Sequence, residues 1–174
     1  MVTRSQATFA GVLGTVWGVC GVLYILGEAA WRLGHITLEG IAMMGSLQWV
    51  VCIAWVIFNA YAEGYKGFQR AFAPRVAVRA REVWMRPNAL RVLLSPLFLM
   101  GLVDATRKRM TVSWILVVAI VGVVTVVRRL DQPWRGIIDA GVVVGLGWGI
   151  FAILVYLFRV AAGRARDVDP ELAK

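Results

Sequence analysis

The chain has 174 residues, 60% of them hydrophobic and 17% charged, with a mean hydropathy of +0.73. Soluble domains carry about 45–50% apolar and about 25% charged residues, and the long uncharged runs here exceed what one small core can bury, which excludes a water-soluble enzyme and a disordered chain. Nineteen Lys and Arg against ten Asp and Glu give a net charge of +9; beside such runs that excess points to membrane orientation and anionic lipid, with no nucleic acid as partner.

A helix needs about 20 apolar residues to cross the hydrocarbon core, and Phe9–Gly27 is the first such run. It exceeds the roughly 7–15 residues of a secretory h-region, so an uncleaved anchor is predicted. Gly11, Gly14, Gly18 and Gly21 recur along one helical face. Small residues let helix backbones approach in lipid, so this face is expected to pack. Glu28, Arg32, His35 and Glu39 follow in a predicted outer loop, where one histidine gives a weak titratable signal.

The second crossing is predicted over 41–62. Gln48, Cys52, Trp55, Asn59 and Glu63 share one of its faces. Polar groups in hydrocarbon need partners, so this stripe should face inward, as interhelical hydrogen bonds or as one wall of a hydrated path.

Residues 63–109 form a cytoplasmic or interfacial section. Between Ala73 and Arg86 the helical period puts Arg75, Arg79, Glu82 and Arg86 on one narrow face and Val76, Ala80, Val83 and Trp84 opposite. That pattern predicts an amphipathic helix lying in the membrane interface. Ala89–Val103 is apolar but short, is broken by Pro96 and is flanked by Arg91 and Asp104; its length suits a re-entrant or interfacial segment. Arg107, Lys108 and Arg109 then join Arg75, Arg79 and Arg86 as the expected lipid-facing basic set.

The third crossing, 110–127, stops at Arg128-Arg129, and the fourth, 137–158, follows Pro133 with Asp131 as its expected N-cap. Gly141, Gly145 and Gly149 form a double small-x-x-x-small repeat. Asp139 lies one turn inside, four positions after Arg135; this is either an interfacial ion pair or a functional carboxylate. The tail, 163–174, is polar and of mixed charge. Two cysteines without a C-x-x-C spacing and a single histidine offer no metal or redox constellation, and no cofactor is expected.

Charge decides between four crossings and five. Five would divide the basic residues ten to eight, whereas four place fifteen on one side and leave Arg32, Arg128, Arg129 and Arg135 on the other. The basic side of a membrane protein is cytoplasmic, so four crossings are predicted with both termini inside. Trp31, Trp84, Trp114 and Trp134 fall near the ends of apolar runs, where interfacial aromatics belong.

Three stretches carry a resemblance: Asn59-Ala60-Tyr61-Ala62-Glu63-Gly64-Tyr65-Lys66-Gly67-Phe68, Ser95-Pro96-Leu97-Phe98 running to Ala105-Thr106-Arg107-Lys108-Arg109, and Gln132-Pro133-Trp134-Arg135-Gly136-Ile137-Ile138-Asp139-Ala140-Gly141. Over roughly 55–150 the chain resembles a family of small, uncharacterised bacterial inner-membrane proteins. The resemblance implies that location and no activity. The expected function is non-enzymatic, with the chain packing against itself or a membrane partner and touching anionic lipid. The alternative is a small transporter or channel lined by Gln48, Asn59, Glu63 and Asp139, with the Pro96 segment as a gate.

Overall fold

The first apolar run stays helical far past its hydrophobic end. In a computed structural model, which describes residues 8–164 and Leu172, helix α1 spans Phe9–Ile41, 33 residues and about 50 Å. Thr8 caps it, its Oγ1 accepting from the Gly11 N–H at 3.3 Å. The stretch predicted as an outer loop contains good helix formers, and Arg32 Nε donates to Glu28 Oε1 at 2.7 Å one turn back. Nothing there ends the helix, so the loop shrinks to 42–45.

The next helix is also longer than predicted. Helix α2 (Ser46–Asn59), a π-helix (Ala60–Phe72) and helix α3 (Ala73–Met85) follow one another without a break over 40 residues. The ladder returns to α beside Pro74, which has no N–H to give. Residues 73–85 are therefore helical as predicted, but they do not lie on the membrane surface. They continue the second long helix into the centre of the bundle, where Ala73, Val76, Ala77, Arg79, Ala80 and Val83 are buried.

The chain reverses at 86–88, and Asn88 caps a short helix α4 (Ala89–Leu93), its side chain accepting from the Leu90 N–H. Helix α5 (Ser95–Leu99) follows with Pro96 in its first turn. Gly101 (φ +76°) and Asp104 (φ +47°) then turn the chain back to helix α6, Arg107–Val127. Two helices of five residues cannot cross a bilayer; the segment enters between α1 and α3 and leaves at the same end. Among the described residues, four helices are long and apolar enough to span. The last is α7, Trp134–Ala161.

The core sits at the basic end, where Val22 and Leu26 of α1 meet Val76, Ala77 and Val83 of α3, Phe98 and Leu99 of α5, and Ile153 and Tyr156 of α7. Leu172 packs against it and bridges to Ala105. A smaller cluster of Cys52, Ile137 and Ala140 closes the opposite end. The outside is apolar over most of its height, with Trp17, Ile57, Val118 and Phe151 at 54–68% exposure. Side chains of that kind belong in lipid, and the protein is an all-α polytopic membrane protein.

Candidate functional site

Because α1 stays helical beyond Gly27, it brings Glu28, Arg32 and His35 alongside the end of α6 and the start of α7. Helix α6 stands off from the packed pair α1 and α7 there, leaving a groove of about 920 Å³. Tyr24 and Ile25 form one apolar wall, Val123, Val124 and Val127 of α6 the second, and Ile138 and Val142 of α7 the third. Arg32, Arg128 and Arg135 reach the groove from three different helices, together with the carboxylates of Glu28 and Asp139.

Arg135 and Asp139 are paired, Nε to Oδ2, at 3.8 Å, which is an ion pair but too long for a hydrogen bond. Asp139 is only 4% exposed, and neither its Oδ2 nor Arg135 Nε has a hydrogen-bond partner among the described residues. Buried polar atoms are nearly always satisfied, and the polar partner these two atoms have is each other, through the ion pair. Glu28 answers Arg32 and Asp139 answers Arg135, which leaves the groove one positive charge in excess, that of Arg128.

Next to the groove, α1 and α7 are held together by backbone contact. Gln132 links α1 to α7: its Nε2 donates to Ile36 O at 3.1 Å and its Oε1 accepts from the Gly136 N–H at 3.0 Å. Gln132, not the expected Asp131, thus caps α7 with its side chain. Gly40 and Gly136 touch there, and a Cβ on either would stand 2.8 Å from the other's Cα.

The polar stripe of the second helix is a helix–helix seam. Trp55 Nε1 donates across it to Ile138 O at 3.2 Å, and Asn59, 1% exposed, donates to Trp55 O at 2.9 Å. Gly141 receives Trp55 and Asn59, Gly145 receives Glu63, and Gly149 receives Phe68. The residues facing α7 thus advance by four, four and then five, the last step being that of the π-helix. Gln48 takes no part in the seam. Its Oε1 accepts from the Gly45 N–H at 2.8 Å and caps α2. The Gly11, Gly14 and Gly18 face packs within the chain, against Trp84, against Val83 and Val92, and against Ser95 respectively.

The basic set divides. Arg86, Arg107 and Lys108 are exposed, as is Arg81, while Arg75 and Arg109 are half-buried. Arg79 does not face lipid: it is 1% exposed, its Nη1 donates to Phe98 O at 2.8 Å, and its guanidinium lies 5.0 Å from the Phe98 ring centre. Arg91 lies 5.3 Å from the centre of the same ring and pairs with Asp104 and Glu82. Around Arg79 the face read as headgroup-facing is covered by α5, whereas Arg86 on the same face stays exposed.

Sequence reasoning missed Arg128 as a site residue, reading it as the end of a crossing; its signal was an arginine at the depth of Arg32 and Arg135. Among the described residues no group of three or more His, Cys, Asp and Glu side chains is placed to hold a metal ion. No family model, curated protein or solved structure matches the chain.

Proposed function

We propose that this is a non-enzymatic protein of the bacterial inner membrane, with both termini cytoplasmic, that holds an anionic phospholipid in the groove between α1, α6 and α7. One observation carries the reading: three of the four basic residues on the sparsely charged side, Arg32, Arg128 and Arg135, converge from separate helices on one groove with valine, isoleucine and tyrosine walls. Such a lining suits a molecule with one negative head and an apolar chain. The volume falls in the range of about 300–1,000 Å³ typical of ligand sites.

At the other end, exposed Arg81, Arg86, Arg107 and Lys108 meet the anionic inner leaflet, each worth about 1 kcal/mol near such a surface. A transport path along Asn59 and Glu63 has less support, since that stripe is occupied by packing against α7.

Native mass spectrometry after transfer from phosphatidylglycerol-containing membranes to mild detergent tests the reading. The wild-type protein should retain one phosphatidylglycerol. Arg128→Gln with Arg135→Gln should release it, and Arg107→Gln with Lys108→Gln should not. A wild type that carries no lipid, or groove variants that keep it, would overturn the proposal.

A further inference from the structure

The outer side of the π-helix is charged where lipid should be. Glu63, Lys66, Gly67 and Arg70 are exposed on it. Helix α7 fixes their depth: Glu63 lies against Gly145, and Gln69 Oε1 accepts from Trp148 Nε1 at 2.8 Å. Residues 145–148 are the middle of the apolar run 137–158, whose exposed side chains include Trp148 and Phe151. Lys66 and Arg70 therefore stand on the outside of the bundle at mid-bilayer depth, with the exposed edge of Glu63, at the rim of the seam to α7, beside them.

Hydrocarbon does not tolerate such a face. The hydrocarbon core is about 30 Å thick, so either interface lies about 15 Å away, too far for these side chains to reach. Nor are the charges neutralised locally. Glu63 has no ion pair among the described residues. Lys66 Nζ leans back over the Tyr61 ring at 4.7 Å, and Arg70 over the Tyr65 ring at 5.8 Å.

We infer that a second copy of this chain covers this face, related to the first by a two-fold axis along the membrane normal. Both copies insert in the same direction, so residues of equal depth meet across the axis. Because Lys66 leans back toward Tyr61, its ammonium is drawn to the level of Glu63, and each copy offers its ammonium to the other's carboxylate. Glu63 and Lys66 are complementary across the axis, while Arg70 stays over the Tyr65 ring of its own chain. The ribbon is also flat enough to approach: Tyr61 and Tyr65 stack at 6.0 Å, and a Cβ on Gly67 would meet only Ala62 O, at 3.5 Å. A glycine on the exposed side of a membrane helix is what close helix approach requires. This inference does not depend on the lipid groove, which lies elsewhere on the bundle.

Oxidative cross-linking in native membranes tests it, in a Cys20→Ser background because Cys20 is exposed. Gly67→Cys should form a covalent dimer, and Val118→Cys on α6, 68% exposed, should not. Glu63→Lys should weaken dimerisation by about tenfold or more, and adding Lys66→Glu should restore it. Equal cross-linking at the two positions overturns the inference, as does dimerisation indifferent to Glu63→Lys. So does labelling of Gly67→Cys by a membrane-impermeant maleimide in a protein that is monomeric by light scattering, which would make the ribbon the wall of a water-filled crevice. If Glu63→Lys fails to fold, the comparison of the two cysteines decides.

Discussion

Substituting Gly136 by Ala isolates the backbone contact between α1 and α7. The added Cβ would stand 2.8 Å from Gly40 Cα and 3.0 Å from Gln132 Oε1. Non-bonded carbons rest at about 3.5–4.0 Å, so α1 and α7 must part by roughly 1 Å. The obstacle is backbone, which no rotamer can move aside. Overpacking of this kind costs about 1–3 kcal/mol, offset by the gain of about 0.5–1 kcal/mol that Ala brings to a helix interior. Gly147→Ala, on the same helix, is the matched control: nothing lies within 4 Å of its Cβ, so only the gain applies. The two variants should differ by about 1–3 kcal/mol, or roughly 2–12 °C in midpoint for a chain of this size. Thermal unfolding in nanodiscs, followed by tryptophan fluorescence, measures the difference. If Gly136→Ala melts at or above Gly147→Ala, the helices are not in contact at Gly40.

Arg79→Leu should lower stability by about 2–5 kcal/mol, because it removes a buried charge-assisted hydrogen bond to Phe98 O and the stacking on its ring; Arg86→Leu, on the exposed side, should stay within about 0.5 kcal/mol in the same denaturation experiment. Trp55→Phe deletes the bond to Ile138 O and should cost about 0.5–1.5 kcal/mol, with the increment vanishing if the seam to α7 is wrong. Gly101→Ala forces a Cβ onto a backbone at φ +76° and near Arg109, and should cost about 1–2 kcal/mol, read as a lower unfolding midpoint with protein yield as a check on folding.

The four crossings were legible because apolar length is a direct physical requirement of the bilayer. Their ends were not. Glu28 and Arg32 look like a loop by polarity, yet their ion pair and the alanines between them sustain α1. The period of 73–85 revealed a helix, but a helical wheel cannot distinguish a basic face turned to headgroups from one that a later segment covers. Phe98, 19 positions after Arg79, is that cover. The seam between the second helix and α7 was half visible. Gly141 and Gly145 match Asn59 and Glu63 at helical spacing, whereas Phe68 reaches Gly149 only because the π-helix adds a residue to the turn. Gly40 and Gly136 belong to no repeat, so their contact had no pattern to find. The groove needed all three helices in place, and Arg128 became part of it only through the position of α6.

Helix α6 has a single buried residue, Ser113, in 21. Its attachment is at its first two turns, where Ser113 Oγ donates to Met100 O at 3.4 Å and Trp114 Nε1 to Leu102 O at 3.2 Å. The wall it lends to the groove, Val123 to Arg128, lies about 15 Å further along its axis. A rod pinned at one end sweeps widest at the other: a tilt of about 4° about Ser113 moves Val124 by roughly 1 Å over that lever. The width of the groove is thus an angular quantity, set by the tilt of one helix that lends no side chain to either apolar cluster.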